Sequence, residues 1–426
     1  MSEWKETTLG ELIDIKHGWA FKGEFFNETN QPKNVVVAIG NFDYSGGFRF
    51  DSTRTKEYLG SYPKEYELTP GEILLAMTCQ TAGGEILGIP GRIPTDSKTY
   101  LHNQRLGKIK IKDEKITDSS FIYWLCLWQN FNHHLVATAT GTKILHTAPE
   151  RIKSFTFKCP PIDEQKQIGK TLDVLDRKIE NLRKQNETLE RIAQTLFKHW
   201  FVDFEFPNDD GKPYRSSGGE MVRSELGEIP AGWRVEPLRK CLKHLIDNRG
   251  KTPTFVDIGI PALSAKFVKG GDLVNRDSFN YVSYELFEQS EKLEVGDIIL
   301  TSEAPLGETY FIAKDTRYYP AQRVFALRVN PELISCSYLN YWFSSTIGQS
   351  LLQRRASGST VQGIKQSELY QCEVIVPAKR IQNLASDAFM KALLKREANS
   401  KQIQSLTKIR DALLPNLMNG KVRIKI

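Results

Sequence analysis

From Ile168 onward, apolar side chains recur at alternating steps of four and three: Ile168, Leu172, Leu175, Ile179 and Leu182, then Leu189, Ala193 and Leu196. That repeat is the seam of a helix that packs lengthwise on another helix, sustained over about four heptads. Asn186 occupies the seam position between Leu182 and Leu189, where a polar residue typically fixes register at some cost in stability; a tolerated, surface-like asparagine is the plainer reading. A second stripe, over about residues 381–414, places small Ala385, Ala388 and Ala392 ahead of Ile403, Leu406, Ile409 and Leu413, and predicts the antiparallel partner that admits Leu and Ile knobs. Ahead of each stripe the period changes. Runs such as NVVVAIG, EILLAM, LGKIKI and SFTFKC, and later DIILTS, VFALRV and CEVIVP, are β-branched and bounded by Gly, Pro or Asp, which predicts short strands. Amphipathic helical pieces fall at residues 121–135 and 338–355, so the class is α+β rather than an alternating β-α-β chain.

The second half restates the first in order, at a separation that shortens slowly along the chain. Trp4 and Trp233 each open a segment, LGELIDIKHG and LRKCLKHLIDNRG, that ends in Gly. Then Pro70-Gly71-Glu72-Ile73-Leu74-Leu75 matches Val295-Gly296-Asp297-Ile298-Ile299-Leu300, and Asn103-Gln104-Arg105-Leu106 matches Ala321-Gln322-Arg323-Val324. Thr140-Gly141-Thr142-Lys143 matches Ser357-Gly358-Ser359-Thr360, and Pro161 matches Pro377. Small loop deletions in a diverged duplicate produce this drift. The expected divisions are a first β-rich module (1–160), a first long helix (161–204), a loop-like connector (205–232), a second module (233–377), and a second helix with its tail (378–426).

A chain of 426 residues exceeds what one hydrophobic core usually fills, which agrees with two modules. Its net charge of +7 suits an anionic partner but is common among proteins that bind none. The six cysteines form no CxxC pair and no zinc pattern, and read as buried thiols in a reducing cytoplasm. With no signal-like start and no run of about 18 apolar residues, a soluble cytoplasmic protein without membrane contact is expected.

The motifs of catalysis are missing. The only Pro-Pro, Pro160-Pro161, lies between Cys159 and Ile162, outside the Asn/Asp-Pro-Pro-aromatic setting in which methyltransferases grip an amino group. Gly250-Lys251-Thr252 lacks the first glycine of a phosphate loop, since Leu245 stands there. Asp210-Gly211-Lys212 sits in a turn-rich connector, and the adjacent His133 and His134 cannot share one helix face. No metal, cofactor or catalytic residue is expected in this chain.

The chain resembles the specificity subunits of type I restriction-modification systems. The resemblance rests on Glu225-Leu226-Gly227-Glu228-Ile229-Pro230-Ala231-Gly232-Trp233, on Gly141-Thr142-Lys143 and Gly358-Ser359-Thr360, on Pro160-Pro161-Ile162-Asp163-Glu164-Gln165, and on His199-Trp200-Phe201-Val202-Asp203-Phe204. It implies two tandem target recognition domains, each followed by a long helix, with the helices paired as an antiparallel coiled coil of pseudo-two-fold symmetry. Each domain would read one half of a split site in double-stranded DNA. The helices would space the domains and dock two modification (methylase) subunits that methylate adenine with S-adenosylmethionine. Motor-nuclease restriction subunits, dependent on ATP and Mg, would then join. The second helix departs from the pattern, because Pro377-Ala378-Lys379-Arg380 lacks the Glu-Gln that opens the first; equal docking at both helices is therefore in question. Helices rise about 1.5 Å per residue, so four heptads span roughly 42 Å. Half-sites on one DNA face lie about 34 Å apart, which makes the arrangement feasible.

Base reading calls for Arg, Lys, Asn or Gln in turn-rich positions. The candidates are Lys22, Gln104, Arg105, Thr142 and Lys143 in the first module, and Arg249, Lys251, Lys266, Gln322, Arg323, Arg354, Arg355, Thr360, Gln362 and Lys365 in the second. Each could instead be a solvated charge, and the Gln-Arg pairs could mark a shared structural hydrogen bond. Phe21, Phe25 and Phe26 fit core packing better than base contact. The competing readings of the whole chain are a coiled-coil scaffold without DNA readout and a remnant of a fused methyltransferase-nuclease.

Overall fold

The computed structural model describes residues 3–29, 31–50, 55–358 and 361–424. The β-branched runs form strands where their pattern predicts them. In the first module a four-stranded antiparallel sheet has the spatial order Ile13–His17, Leu106–Ile111, Ile73–Ala76, Pro90–Arg92. The second module repeats it as Leu242–Ile246, Val324–Val329, Ile298–Thr301, Thr309–Phe311. In each module the central strand of the Gly-Glu/Asp-Ile match is buried along its full length, which is why it reads as a continuous apolar run rather than an alternating one. A further sheet in each module contains one parallel pair, Asn34–Val37 with Thr99–His102 and Ile260–Leu263 with Tyr319–Pro320. A two-stranded ribbon closes each module, pairing Lys5–Thr8 with Thr156–Cys159 and Arg234–Pro237 with Glu373–Val376. The two predicted helical pieces are each broken once, into Ser119–Leu127 and Gln129–Thr138, and into Cys336–Ser344 and Thr346–Arg355.

The first long helix is Ile162–Phe197, continued by a π-helical turn Lys198–Val202, and the second is Lys379–Met418. The second runs past its predicted end even though Pro415 lies inside it and removes one backbone donor. The connector is more regular than predicted, since Met221–Ser224 and Gly227–Pro230 pair as an antiparallel hairpin.

Two compact units divide the chain: Met1–Ile179 with Ser405–Ile426, and Glu180–Gln404. Each unit contains one module and a stretch of both helices, packed antiparallel. In the first unit Ile168 and Leu172 share a core with Leu417 and Met418, and Arg410 donates to Asp176 at 2.8 Å. In the second, Ala193 and Phe197 pack with Ala385, Phe389 and Ala392, and Arg396 pairs with Glu190. Ile168, Leu172, Ile179 and Leu182 are buried along the predicted seam, while Leu175, Leu189, Leu196, Leu406 and Leu413 are half-buried.

One seam position is corrected. Ile409 is 48% exposed, and its neighbour Arg410, 5% exposed, turns inward instead. The inward register is Leu406, Arg410, Leu413, Leu417, with the arginine stem packed and its charge met by Asp176 and Asp411, so a polar residue masks the repeat.

Asn186 is half-buried and hydrogen-bonded across the helix seam. Its amide donates to Ser400 Oγ at 3.1 Å, and its Oδ1 accepts from Asn399 Nδ2 at 2.9 Å. Asn399 is 1% exposed, so Asn186→Leu strands a buried amide and is expected to cost about 1–3 kcal/mol in urea unfolding. Asn186→Leu combined with Asn399→Leu should restore stability while loosening register. A single variant as stable as the parent would return Asn186 to the surface-like reading.

Candidate nucleic-acid interface

The same pair of loops is built in both modules. In the first, the strand Thr99–His102 passes into Leu106–Ile111 through Asn103, Gln104 and Arg105. In the second, Tyr319–Pro320 passes into Val324–Val329 through Ala321, Gln322 and Arg323. Beside each turn lies a hairpin loop closed by two reciprocal backbone hydrogen bonds, Thr140 with His146 at 3.0 and 2.8 Å, and Ser357 with Gly363 at 2.8 and 2.9 Å. A single residue stitches turn to hairpin. The Met77 N–H donates to the Arg105 carbonyl at 3.2 Å and its own carbonyl accepts from Thr147 at 3.0 Å; Ser302 does the same between Arg323 and Ile364, both at 2.9 Å. The equivalence of the Gln-Arg pairs is therefore a backbone hydrogen bond, and it leaves the side chains outside: Gln104, Arg105 and Arg323 are exposed and Gln322 is half-buried.

Gly141 and Gly358 make the hairpins possible. Both hold left-handed backbone, with φ of 102° and 116°, and a Cβ would stand 2.0 Å from the Ile144 carbonyl oxygen or 2.2 Å from that of Val361. Thr142 and Lys143 are exposed in the first hairpin and Gln362 in the second, while Thr360 lies outside the described residues.

In the second module the predicted residues converge. Arg249, Gln322, Arg323 and Lys365 line a cleft of about 480 Å³ with Ser302 and Glu303. Lys266, Gln322 and Arg323 line a cleft of about 290 Å³ with Ser264 and Asn280. Gln322 is steadied by donating to Thr252 Oγ1 at 2.6 Å, and the Lys266 ammonium lies 4.7 Å from the Phe267 ring centroid. Lys251 is exposed beside Gly250, and Lys22 is exposed ahead of the short turn Gly23–Phe25.

Two predicted readers are already spent on the protein. Arg249 donates to both carboxylate oxygens of Asp247 and to the Ile364 carbonyl at 2.8 Å, with its guanidinium 3.9 Å from the Phe325 ring centroid. It anchors the end of the hairpin. Arg355 binds Glu373 at 3.0 Å and Glu368 at 3.6 Å, tying down the helix on which Arg354 remains exposed. Phe21, Phe25 and Phe26 surround Tyr58 at centroid distances of 4.9, 6.1 and 5.2 Å, which is the packing role. Sequence reasoning missed Met77, Ser302 and Glu303; their signal is their position, Met77 and Ser302 closing the matched runs EILLAM and DIILTS and Glu303 directly following the second. Among the described residues no group of three or more His, Cys, Asp or Glu could hold a metal, and no helix is long and apolar enough to cross a membrane.

His102 supports the first turn from beneath. Its Nε2–H donates to the Leu106 carbonyl at 2.9 Å, and burial, which outweighs that bond, pushes the imidazole down to about 4. The unfolded chain takes up a proton near pH 6.5 that the folded one refuses, so the contribution is complete above that pH and is lost as pH falls toward 4. The shift corresponds to roughly 3 kcal/mol at the acid end. His102→Gln, which keeps a donor at the same reach, should remove that part of the pH dependence in unfolding measured from pH 7 to 4; an unchanged slope would show that His102 is not its source.

A duplicated frame that presents arginine, lysine and glutamine from paired loops defines a two-module protein. Residues 1–191 and 244–408 match the family described as the type I restriction modification DNA specificity domain, and the chain belongs to that family. The chain is 29% identical over 335 residues to the type I restriction enzyme MjaIX specificity subunit of Methanocaldococcus jannaschii, covering 76% of this chain and 73% of that one. It is 24% identical to the MjaVIII specificity subunit of the same organism over 100% of this chain and 98% of the other. The HindI specificity subunit of Haemophilus influenzae is 22% identical over 99% and 100%. The crystal structure of a type I restriction-modification S subunit from M. genitalium shares the fold, with a TM-score of 0.61, 17% identity and coverage of 97% and 96%. The chain is thus a DNA specificity subunit of a type I restriction-modification system.

Proposed function

We propose that each module reads one half of a split double-stranded DNA sequence through its stitched pair of loops, the first module being residues 1–160 and the second 233–377. The observation that carries this reading is the shared loop construction, with Gln-Arg in the turn and a left-handed glycine in the hairpin, held by Met77 in one module and Ser302 in the other. Repetition of the frame with different side chains around it suits two readers with different targets. Phosphate contacts would come from exposed lysines such as Lys22, Lys143, Lys251 and Lys365, and sequence discrimination from Gln104, Arg105, Gln322 and Arg323, with Thr142, Lys266, Arg354, Thr360 and Gln362 as further candidates by sequence.

The subunit itself is non-catalytic in this reading. Residues 161–204 and 378–426 act as spacers and as docks for two methylase subunits, joined through the connector 205–232. The faces proposed for docking carry exposed apolar side chains, Ile192 in one unit and Val174 and Ile409 in the other. S-adenosylmethionine, ATP and Mg belong to the partner methylase and motor-nuclease subunits, and the assembly works on DNA in the cytoplasm.

The test is co-expression with a type I methylase subunit and mapping of methylated adenines across genomic DNA, repeated with Gln322 and Arg323 both changed to Ala. A split motif that loses discrimination in one half alone supports two independent readers and places one of them. Absence of a complex or of a motif favours a scaffold without DNA readout.

A further inference from the structure

Glu303 is the one carboxylate among the residues lining the larger cleft of the second module. A negative charge facing a polyanion weakens binding unless it does something else, and three observations indicate what that is. Its Oε1 lies 3.0 Å from Arg323 Nε in an ion pair, with the two side chains 38% and 57% exposed. Arg323 itself holds left-handed backbone, φ 63°, with its carbonyl fixed by the Ser302 N–H. And Gly363 bridges to Glu303 through the backbone, where a Cβ would lie 3.2 Å from both Cβ and Oε2 of Glu303, so the hairpin approaches the carboxylate closely.

The contact through Nε leaves the two terminal nitrogens of Arg323 unspent among the described residues. Those two nitrogens form the planar fork that matches guanine O6 and N7 in the major groove. The first module lacks the device. Thr78 stands in place of Glu303 and its hydroxyl bonds the ring of His146, which stands in place of Gly363, at 3.1 Å. Arg105 is not left-handed and has no carboxylate partner among the described residues.

We propose that Glu303 is a specificity-determining positioning residue of the second module, which grips Arg323 through Nε so that its terminal nitrogens read a guanine in one half-site. The assignment rests on the reading of that module as a DNA reader. A carboxylate that merely sits in the cleft predicts the opposite sign: its removal would tighten binding to every sequence and steepen the dependence on salt.

The experiment uses the complex of the chain with its methylase, carrying Glu303→Gln, Glu303→Ala or Arg323→Lys, with methylated adenines mapped and binding to matched and single-mismatch duplexes measured across salt concentrations. Glu303→Gln and Glu303→Ala should relax discrimination at one guanine position of one half-site by roughly 5- to 150-fold, leaving the other half unchanged. Arg323→Lys, which keeps the charge and loses the fork, should relax the same position. Uniformly tighter binding with an intact motif would overturn the assignment, as would relaxation at a position that Arg323→Lys leaves untouched. A parent complex with no split motif would overturn the DNA-reading module and the assignment with it.

Discussion

Gln165→Ala is expected to destabilise its unit by about 3–5 kcal/mol, and Gln382→Ala to do the same in the other unit, because each strands several buried backbone groups at once. Both glutamines are 1% exposed. Gln165 accepts from the Asp118 N–H at 2.9 Å and donates to the carbonyls of Ile116 and Pro160 at 3.0 and 2.9 Å. Gln382 repeats the set with Ser335 at 2.8 Å, Leu333 at 3.0 Å and Pro377 at 2.8 Å. Asp118 and Ser335 are the N-caps of Ser119–Leu127 and Cys336–Ser344, so each amide ties the start of a long helix to the start of a module helix. Gln165→Glu keeps the volume but aims a carboxylate at two carbonyls, and above about pH 5 should cost at least as much as the alanine. Urea unfolding of the parent and the variants measures this. A loss below about 1 kcal/mol for Gln165→Ala would mean that water replaces the amide without penalty.

These glutamines also correct the sequence alignment. Pro160, not Pro161, is the counterpart of Pro377, since those are the two carbonyls that Gln165 and Gln382 bond. The second helix therefore keeps the Gln of the Glu-Gln pair, displaced past the point where the prolines had been matched. Only Glu164 is lost, and its surroundings changed with it. In the first unit Glu164 takes the Trp4 indole N–H at 3.0 Å and the Arg423 guanidinium. Burial opposes its ionisation, but those hydrogen bonds outweigh it and hold the carboxyl below the usual range. In the second unit Ile381 stands there, in a core with Trp233 and Phe206, whose rings stack at 5.0 Å. A polar triad and an apolar one fill the same place.

What was legible in the sequence is what periodicity encodes. The strands EILLAM and DIILTS, the long helices and the duplicated order all follow from apolar spacing, which survives divergence because each core must be filled. What was not legible depends on contacts between residues distant in the chain. Arg249 looks like a free reader until Asp247 and Ile364 are seen to hold it, and Arg410 breaks the seam repeat because Asp176 meets its charge. Glu303 carries no motif, and only its pairing with Arg323 against Gly363 singles it out.

Gly141→Ala should leave the assembled subunit folded yet abolish discrimination in the half-site read by the first module, and Gly358→Ala should do so for the second. At φ of 102° and 116° an L-residue is strained by about 1–3 kcal/mol, before any clash is counted. The clash is with backbone oxygen, at 2.0 Å from Ile144 and 2.2 Å from Val361, so no side-chain rotation relieves it and the hairpin must move. Moving it breaks the reciprocal Thr140–His146 or Ser357–Gly363 bonds, worth about 1 kcal/mol each, for a local cost near 3–5 kcal/mol. That cost falls on an exposed loop and not on the module core, so the loop rearranges while the sheet behind it stays folded. Thr142 and Lys143, exposed in that hairpin, then lose their fixed placement. Base discrimination fails before affinity does, because phosphate contacts tolerate displacement that a bidentate base contact does not. The measurement is methylated-adenine mapping together with thermal unfolding of the complex. A motif that stays sharp in both halves would show that the hairpins take no part in reading, and a collapse of unfolding temperature would place the glycines in the core frame instead.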